Sequence, residues 1–184
     1  MKFSDSLVIP LRLVFIMWAV FLLGMIIRND LSFLGIYPRN FTGSVGVFTA
    51  PFIHGNFVHL VSNTIPLLFL GAVLFIFYDR IARNVFFICY FLTNILVWIF
   101  ARPSIHIGAS GLVYGIAFFL IFYGLFKKDI KSILISVAIL IMYGGLIYGV
   151  FPNQPGVSWE SHLLGSFVGI GTASYFGNSR RTTR

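Results

Sequence analysis

Apolar residues fill this chain in long runs separated by short polar gaps. Six runs stand out, roughly Leu7–Ile27, Phe57–Tyr78, Val85–Phe100, Gly111–Phe126, Ile133–Val150 and Trp159–Phe176. A helix crossing the hydrocarbon of a bilayer needs ~20 mainly apolar residues. Backbone groups in that medium must be paired within their own segment, so each run is expected to be a helix. The third and fourth runs are short for a span. The expected fold class is all-α, a polytopic membrane protein whose six transmembrane helices form a single domain over residues 1–184.

Composition agrees with the pattern. Of the 184 residues, 58% are hydrophobic, only 10% are charged, and 22 are Phe. In water such a chain would expose large apolar patches, whereas in lipid the same surface costs little. Lys and Arg number 13 against 5 Asp and Glu. These charges sit in the gaps between apolar runs, as in membrane loops, so a lipid bilayer and not a nucleic acid is the expected partner. Cys89 stands alone, which excludes a disulfide framework or a cysteine-based metal site within one chain. The first run is not followed by a small-residue cleavage site and a soluble domain, so it is expected to be retained as a span. No soluble domain, repeat array or low-complexity tail is expected.

Basic residues orient the spans. With six helices, one side receives Lys2, Arg80, Arg83, Lys127, Lys128, Lys131, Arg180, Arg181 and Arg184, and Arg12 can snorkel to it. The other side receives Arg28, Arg39 and Arg102. Both termini are therefore expected to be cytoplasmic. The first outer loop, from Arg28 to about His54, mixes Leu31, Phe33, Leu34, Ile36, Tyr37, Phe41, Val47 and Phe48 with Gly, Pro and Asn. It is too apolar to float in water and too broken to span, so it is expected to lie partly in the interface. The last outer loop, from Phe151 to Ser158, is short and rich in Pro and Gly.

Polar groups inside spans are costly, which makes each a functional candidate. His59 and Asn63 lie in the second run, Ser110 at the start of the fourth, His162 near the start of the sixth, and His54 just before the second. These three helices all run inward from the outer side. At ~1.5 Å per residue, their polar groups fall in one layer from the outer surface down to roughly ten ångströms. Gly108-Ala109-Ser110-Gly111 puts a serine at a helix start, where free N–H groups and the positive dipole end suit an oxyanion. Gly111 with Gly115, and Gly165 with Gly169, are small-residue pairs that let two membrane helices touch backbone to backbone. That contact can bring Ser110 Oγ within hydrogen-bond reach of His162, as a Ser–His dyad requires. His59 and Asn63 share one helix face and can donate to the oxyanion beside the Ser110 N–H, or can simply bond neighbouring backbone. His54 is expected to support a loop, and His106 to be a loop residue. Glu160 is expected at the surface, pointing away from His162.

His54-x-x-x-x-His59-x-x-x-Asn63, Gly108-x-Ser110-Gly111 and His162-x-x-Gly165 together resemble the rhomboid intramembrane serine proteases, and the chain looks like a compact bacterial member without an extra cytoplasmic domain. The resemblance extends over all six helices. It implies Ser110 as nucleophile, His162 as general base, His59 and Asn63 in the oxyanion hole, and Tyr114 packed against His162. It also implies a last outer loop that caps the site, and single-span substrate proteins with easily unwound helices. No metal or organic cofactor is implied, and the oligomeric state is left open. Two departures stand out. The Trp-Arg pair that many members carry in the first loop is missing from Ser44-Val45-Gly46-Val47, which leaves the anchoring of that loop unassigned. Ser161, another small residue, replaces the frequent Ala before His162.

Rival functions fit less well. No His-Glu-x-x-His string is present, and Asp79 and Asp129 both fall in loops, so neither metalloprotease nor aspartyl chemistry is expected. A small transporter would show internal repeats with matching broken helices. A catalytically silent, client-binding relative usually loses Ser or His, and both are kept here. The expected function is a serine endopeptidase of a bacterial inner membrane, working on transmembrane segments from the periplasmic side.

Overall fold

The computed structural model describes residues 7–152 and 156–179. Lys2, Arg180, Arg181 and Arg184, and Asn153, Gln154 and Pro155 of the last loop, lie outside the described residues. The architecture is all-α among the described residues, with six long helices: α1 Val8–Ile27, α2 Phe57–Phe77, α3 Asp79–Phe100, α4 Ser110–Lys127, α5 Ile130–Tyr143 and α6 Trp159–Asn178. Helix α3 begins one and a half turns before its apolar run, because Asp79, Arg80, Arg83 and Asn84 form a polar first stretch. Helix α5 starts at Ile130 because the Asp129 carboxylate accepts the Ser132 N–H at 3.0 Å. It ends at Tyr143, before Gly144-Gly145, and the chain tightens into a 3-10 segment, Gly144–Val150.

Among the described residues, five elements are long and apolar enough to cross a membrane: α1 to α4, and α5 together with its 3-10 extension. Helix α6 is equally long but carries Glu160, His162, Ser166, Thr172 and several glycines. Its hydroxyls bond their own helix, Ser166 Oγ to the His162 carbonyl at 2.8 Å and Thr172 Oγ1 to the Val168 carbonyl at 2.7 Å. Such a helix is tolerated because its neighbours cover its polar and glycine faces.

The central element is α4, buried on every side from Gly111 to Leu120, as a helix apolar all round should be. Its glycines set the packing. Gly165 of α6 sits directly on the Gly111 carbonyl, and Gly169 on the Gly115 carbonyl. On the α3 side, a side chain at Gly115 would meet Cys89 Cβ at 2.9 Å, and one at Gly111 would meet Thr93 Cγ2 at 3.0 Å. At the other end of α4, Ser136 Oγ of α5 donates to the Leu120 carbonyl at 2.7 Å and accepts the Gly124 N–H at 3.0 Å. Helix α1 meets α2 through Pro10 against Gly71, and Trp18 Nε1 donates to Thr64 Oγ1 at 3.0 Å. Helix α2 runs unbroken through Pro66.

The loop between α1 and α2 folds as short helical turns at Ser32–Leu34, Thr42–Val45, Gly46–Thr49 and Ala50–Phe52. Ile36 and Val47 are buried, while Phe33, Tyr37, Phe48 and Phe41, the last 91% exposed, point outward. That is the shape of an interfacial segment. Its anchors are groups other than a Trp-Arg pair. Arg39 Nη1 donates to the Ile99 and Ala101 carbonyls at the end of α3, at 3.1 and 2.8 Å. Trp98 Nε1 donates to the Asn40 carbonyl, Asn94 Nδ2 to that of Val47 and Tyr90 Oη to that of Phe48. The end of α3 thus clamps the loop.

Gly169→Val should force α6 off α4 and destabilise the fold by the ~1–3 kcal/mol typical of overpacking or more, read as a lower thermal unfolding temperature in detergent. Gly171→Ala, two residues along and with nothing within 4 Å of a new Cβ, should leave it unchanged.

Candidate active site

Polar groups converge where α2, α4 and α6 begin. Ser110 is the first residue of α4, so its N–H and those of Gly111 and Leu112 have no partner within the helix. Before it the chain must turn sharply, and Gly108 does so at φ +102°. That conformation brings the Gly108 backbone against α2: a Cβ there would lie 2.6 Å from His59 Nε2 and 3.8 Å from Asn63 Nδ2. Any side chain at this position is therefore both strained and blocked.

Helix α2 presents these two groups because Asn56 caps it, its Oδ1 accepting the His59 N–H at 2.8 Å. Asn63 is buried, and its Nδ2 spends one N–H on the His59 carbonyl at 2.8 Å. An amide has two such hydrogens, so one remains for a ligand. His54 is buried next to His59, the rings edge to face with centroids 5.0 Å apart. Its Nδ1 points to the Phe52 carbonyl at 3.4 Å, and its Nε2 has no protein partner among the described residues.

On α6, His162 is half-buried and held on two sides. Its ring lies flat on Tyr114, with centroids 4.2 Å apart and planes 4° from parallel. Its Nδ1 is 2.9 Å from the Gly149 carbonyl. A carbonyl only accepts, so Nδ1 carries the proton and the neutral ring keeps its lone pair on Nε2. The register with α4 comes from Gly165 on Gly111, one turn beyond His162 and one residue beyond Ser110. Ser161 fits the same contact, its carbonyl and Cβ lying 3.3 and 3.6 Å from where a Cβ on Gly111 would be.

Ser110 Oγ itself makes no hydrogen bond among the described residues, to His162 or to any other group. The structure brings the serine and histidine helices together without closing that bond. Glu160 departs from its expected surface position: it is buried, because Arg102 pairs with it, Nε to Oε1 at 3.3 Å. It faces that guanidinium and makes no hydrogen bond to His162. His106, expected as a loop residue, is also buried, with both ring nitrogens bonded. Among the described residues, no three His, Cys, Asp or Glu side chains gather as a metal site would need.

Two contributors escaped the sequence reading. The Gly149 carbonyl carries no residue-type signal at all. His106 had one, since it is flanked by Ile105 and Ile107 in an otherwise polar loop, and its backbone pairs with Ile36 in both directions at 2.9 Å.

Burial, with His59 alongside, pushes the His54 imidazole down from its ordinary 6.5 to about 4. The unfolded chain therefore takes up this proton first. Stability should be full above about pH 6.5 and fall as the pH drops towards 4. Thermal unfolding across that range should show the loss, and His54→Gln should flatten it.

Comparison with known proteins adds the lineage. Residues 42–179 match the Rhomboid domain. The uncharacterized protein Rv1337 of Mycobacterium tuberculosis is 34% identical over 185 residues, 95% of this chain and 76% of the relative. The uncharacterized protein ML1171 of Mycobacterium leprae is 33% identical over 186 residues, 92% of this chain and 70% of the relative.

Proposed function

The chain belongs to the rhomboid family, a membrane-protein family, and from that premise we propose that it is an intramembrane serine endopeptidase. One observation carries the reading. His162 is locked by the Gly149 carbonyl and the Tyr114 ring in the tautomer whose free Nε2 lone pair is that of a base, on a helix whose backbone touches α4 at Gly111 and Gly115.

The mechanism follows from these groups. A transmembrane substrate segment enters from the bilayer and unwinds at the level of Ser110. His162 Nε2 takes the Ser110 hydroxyl proton as Oγ attacks the substrate carbonyl. The tetrahedral oxyanion gathers the Ser110 N–H, the spare Asn63 Nδ2–H and His59 around it, and the α4 dipole adds to them. His162 then hands its proton to the leaving amine, and water from the membrane surface hydrolyses the acyl-enzyme. His54 and the Gly108 turn support this layer without touching the reacting atoms.

The positive-inside distribution of Arg80, Arg83, Lys127, Lys128 and Lys131 supports a cytoplasmic-membrane protein with both termini inside and this site near the periplasmic face. The substrates are transmembrane proteins.

The open Ser110–His162 bond is the observation that favours the rival, a catalytically silent, client-binding relative. Catalytic hydrogen bonds are often long in the unliganded state and tighten with substrate, so the geometry does not weigh against an enzyme.

A labelled single-span protein incubated with the purified chain in detergent decides between them. The wild type should cut it, while Ser110→Ala and His162→Ala should fold and be silent. Asn63→Ala should lose about 10²–10³ in kcat, as removal of one oxyanion donor does. Equal cleavage by Ser110→Ala, or none by the wild type on several substrates, would move client binding to the front.

A further inference from the structure

A second polar network lies beside the site and adjoins it at Ser161. Arg102 follows the end of α3. Its Nε faces Glu160 Oε1 at 3.3 Å, and its Nη2 donates to the Val157 carbonyl at 2.9 Å. Glu160 stands in the first turn of α6, where a carboxylate also suits the helix dipole. Its side chain is only 8% exposed, and neither oxygen has a hydrogen bond, so the guanidinium is its compensating charge. Removing one partner of such a pair leaves a buried charge uncompensated.

A directed chain of hydrogen bonds runs alongside. His106 Nε2 is 3.1 Å from the Arg102 carbonyl, which can only accept, so Nε2 carries the proton. His106 Nδ1 is then an acceptor, and the Ser158 hydroxyl 2.6 Å away donates to it. Ser158 has spent its hydrogen, so Ser161 Oγ, also at 2.6 Å, donates to Ser158 Oγ. Every donor and acceptor follows from the one before it. The direction requires neutral His106, and burial does lower its affinity for a second proton. The chain ends on Ser161, which packs on Gly111 and immediately precedes His162.

We propose that Glu160, Arg102, His106 and Ser158 are positioning residues that fix the first turn of α6, and so the height of His162 over Ser110, from the α3–α4 loop. This rests on the protease reading. The ion pair holds the turn at Glu160, and the hydroxyl chain holds it at Ser158 and Ser161. Gly165 and Gly169 hold the helix further along but do not fix its first turn.

The test is the rate at which a fluorophosphonate probe modifies Ser110 in the purified full chain, with the labelled fraction read separately. Glu160→Gln and Arg102→Gln should each slow labelling about tenfold, and the double variant should be no slower than either. Ser158→Ala, which removes a hydroxyl and no charge, should slow it several-fold. The final labelled fraction should stay near that of the wild type. Because the rate is read on folded molecules alone, partial misfolding cannot imitate the effect. Unchanged rates, or a lower labelled fraction at an unchanged rate, would overturn the positioning role. Failure of the wild type to label at Ser110 would instead overturn the protease reading, and the positioning role with it.

Discussion

Backbone contact between α4 and α6 is the constraint on which the rest of this molecule depends. Gly165 on the Gly111 carbonyl and Gly169 on that of Gly115 leave no room for a single methyl group. Lipid supplies no hydrophobic force to drive helices together, so close packing must supply the attraction. That contact sets the register of α6 against α4. It also permits a helix as polar as α6 to exist, since α4 and α3 cover its glycine and hydroxyl faces. Tyr114 can then stack on His162, and Ser161 can close over Gly111.

The polar layer is built from helix starts. Helices α2, α4 and α6 begin on one side, and each offers unpaired N–H groups or a polar side chain in its first turns. Asn56 caps α2 and so directs His59 and Asn63. Gly108 turns the chain into α4 and presses against His59. Burial alone would make these groups expensive. Backbone carbonyls absorb most of that cost, those of His59, Gly149, Phe52 and Arg102 each accepting from a buried or half-buried side chain.

Much of this was legible in the sequence. Six long helices form at the six apolar runs, and five of these elements are apolar enough to span, because spans in lipid have no other way to pair their backbone, while α6 is more polar than its run suggests. The proximity of the α2, α4 and α6 starts follows from topology, and the α4–α6 contact from glycine spacing. The misses share a cause: they depend on partners distant in the chain. Glu160 reads as a surface residue until Arg102 is brought to it. His106 is a loop residue, as its sequence suggests, but its burial is legible only once Ile36 and Ser158 enclose it. The first loop lacks the Trp-Arg pair, and its replacements, Arg39, Tyr90, Asn94 and Trp98, are spread from residue 39 to residue 98 and act on carbonyls. Helix ends moved for local reasons, as with the Asp129 cap before α5 and Gly144-Gly145 after it.

The central claim is that this packing makes one serine, Ser110, nucleophilic. The most direct measurement is mass-spectrometric mapping of every serine in the wild-type chain after fluorophosphonate treatment in membranes. The account predicts a covalent adduct on Ser110 and on no other serine, and none after heat denaturation. An unmodified Ser110, or an adduct elsewhere, would contradict it.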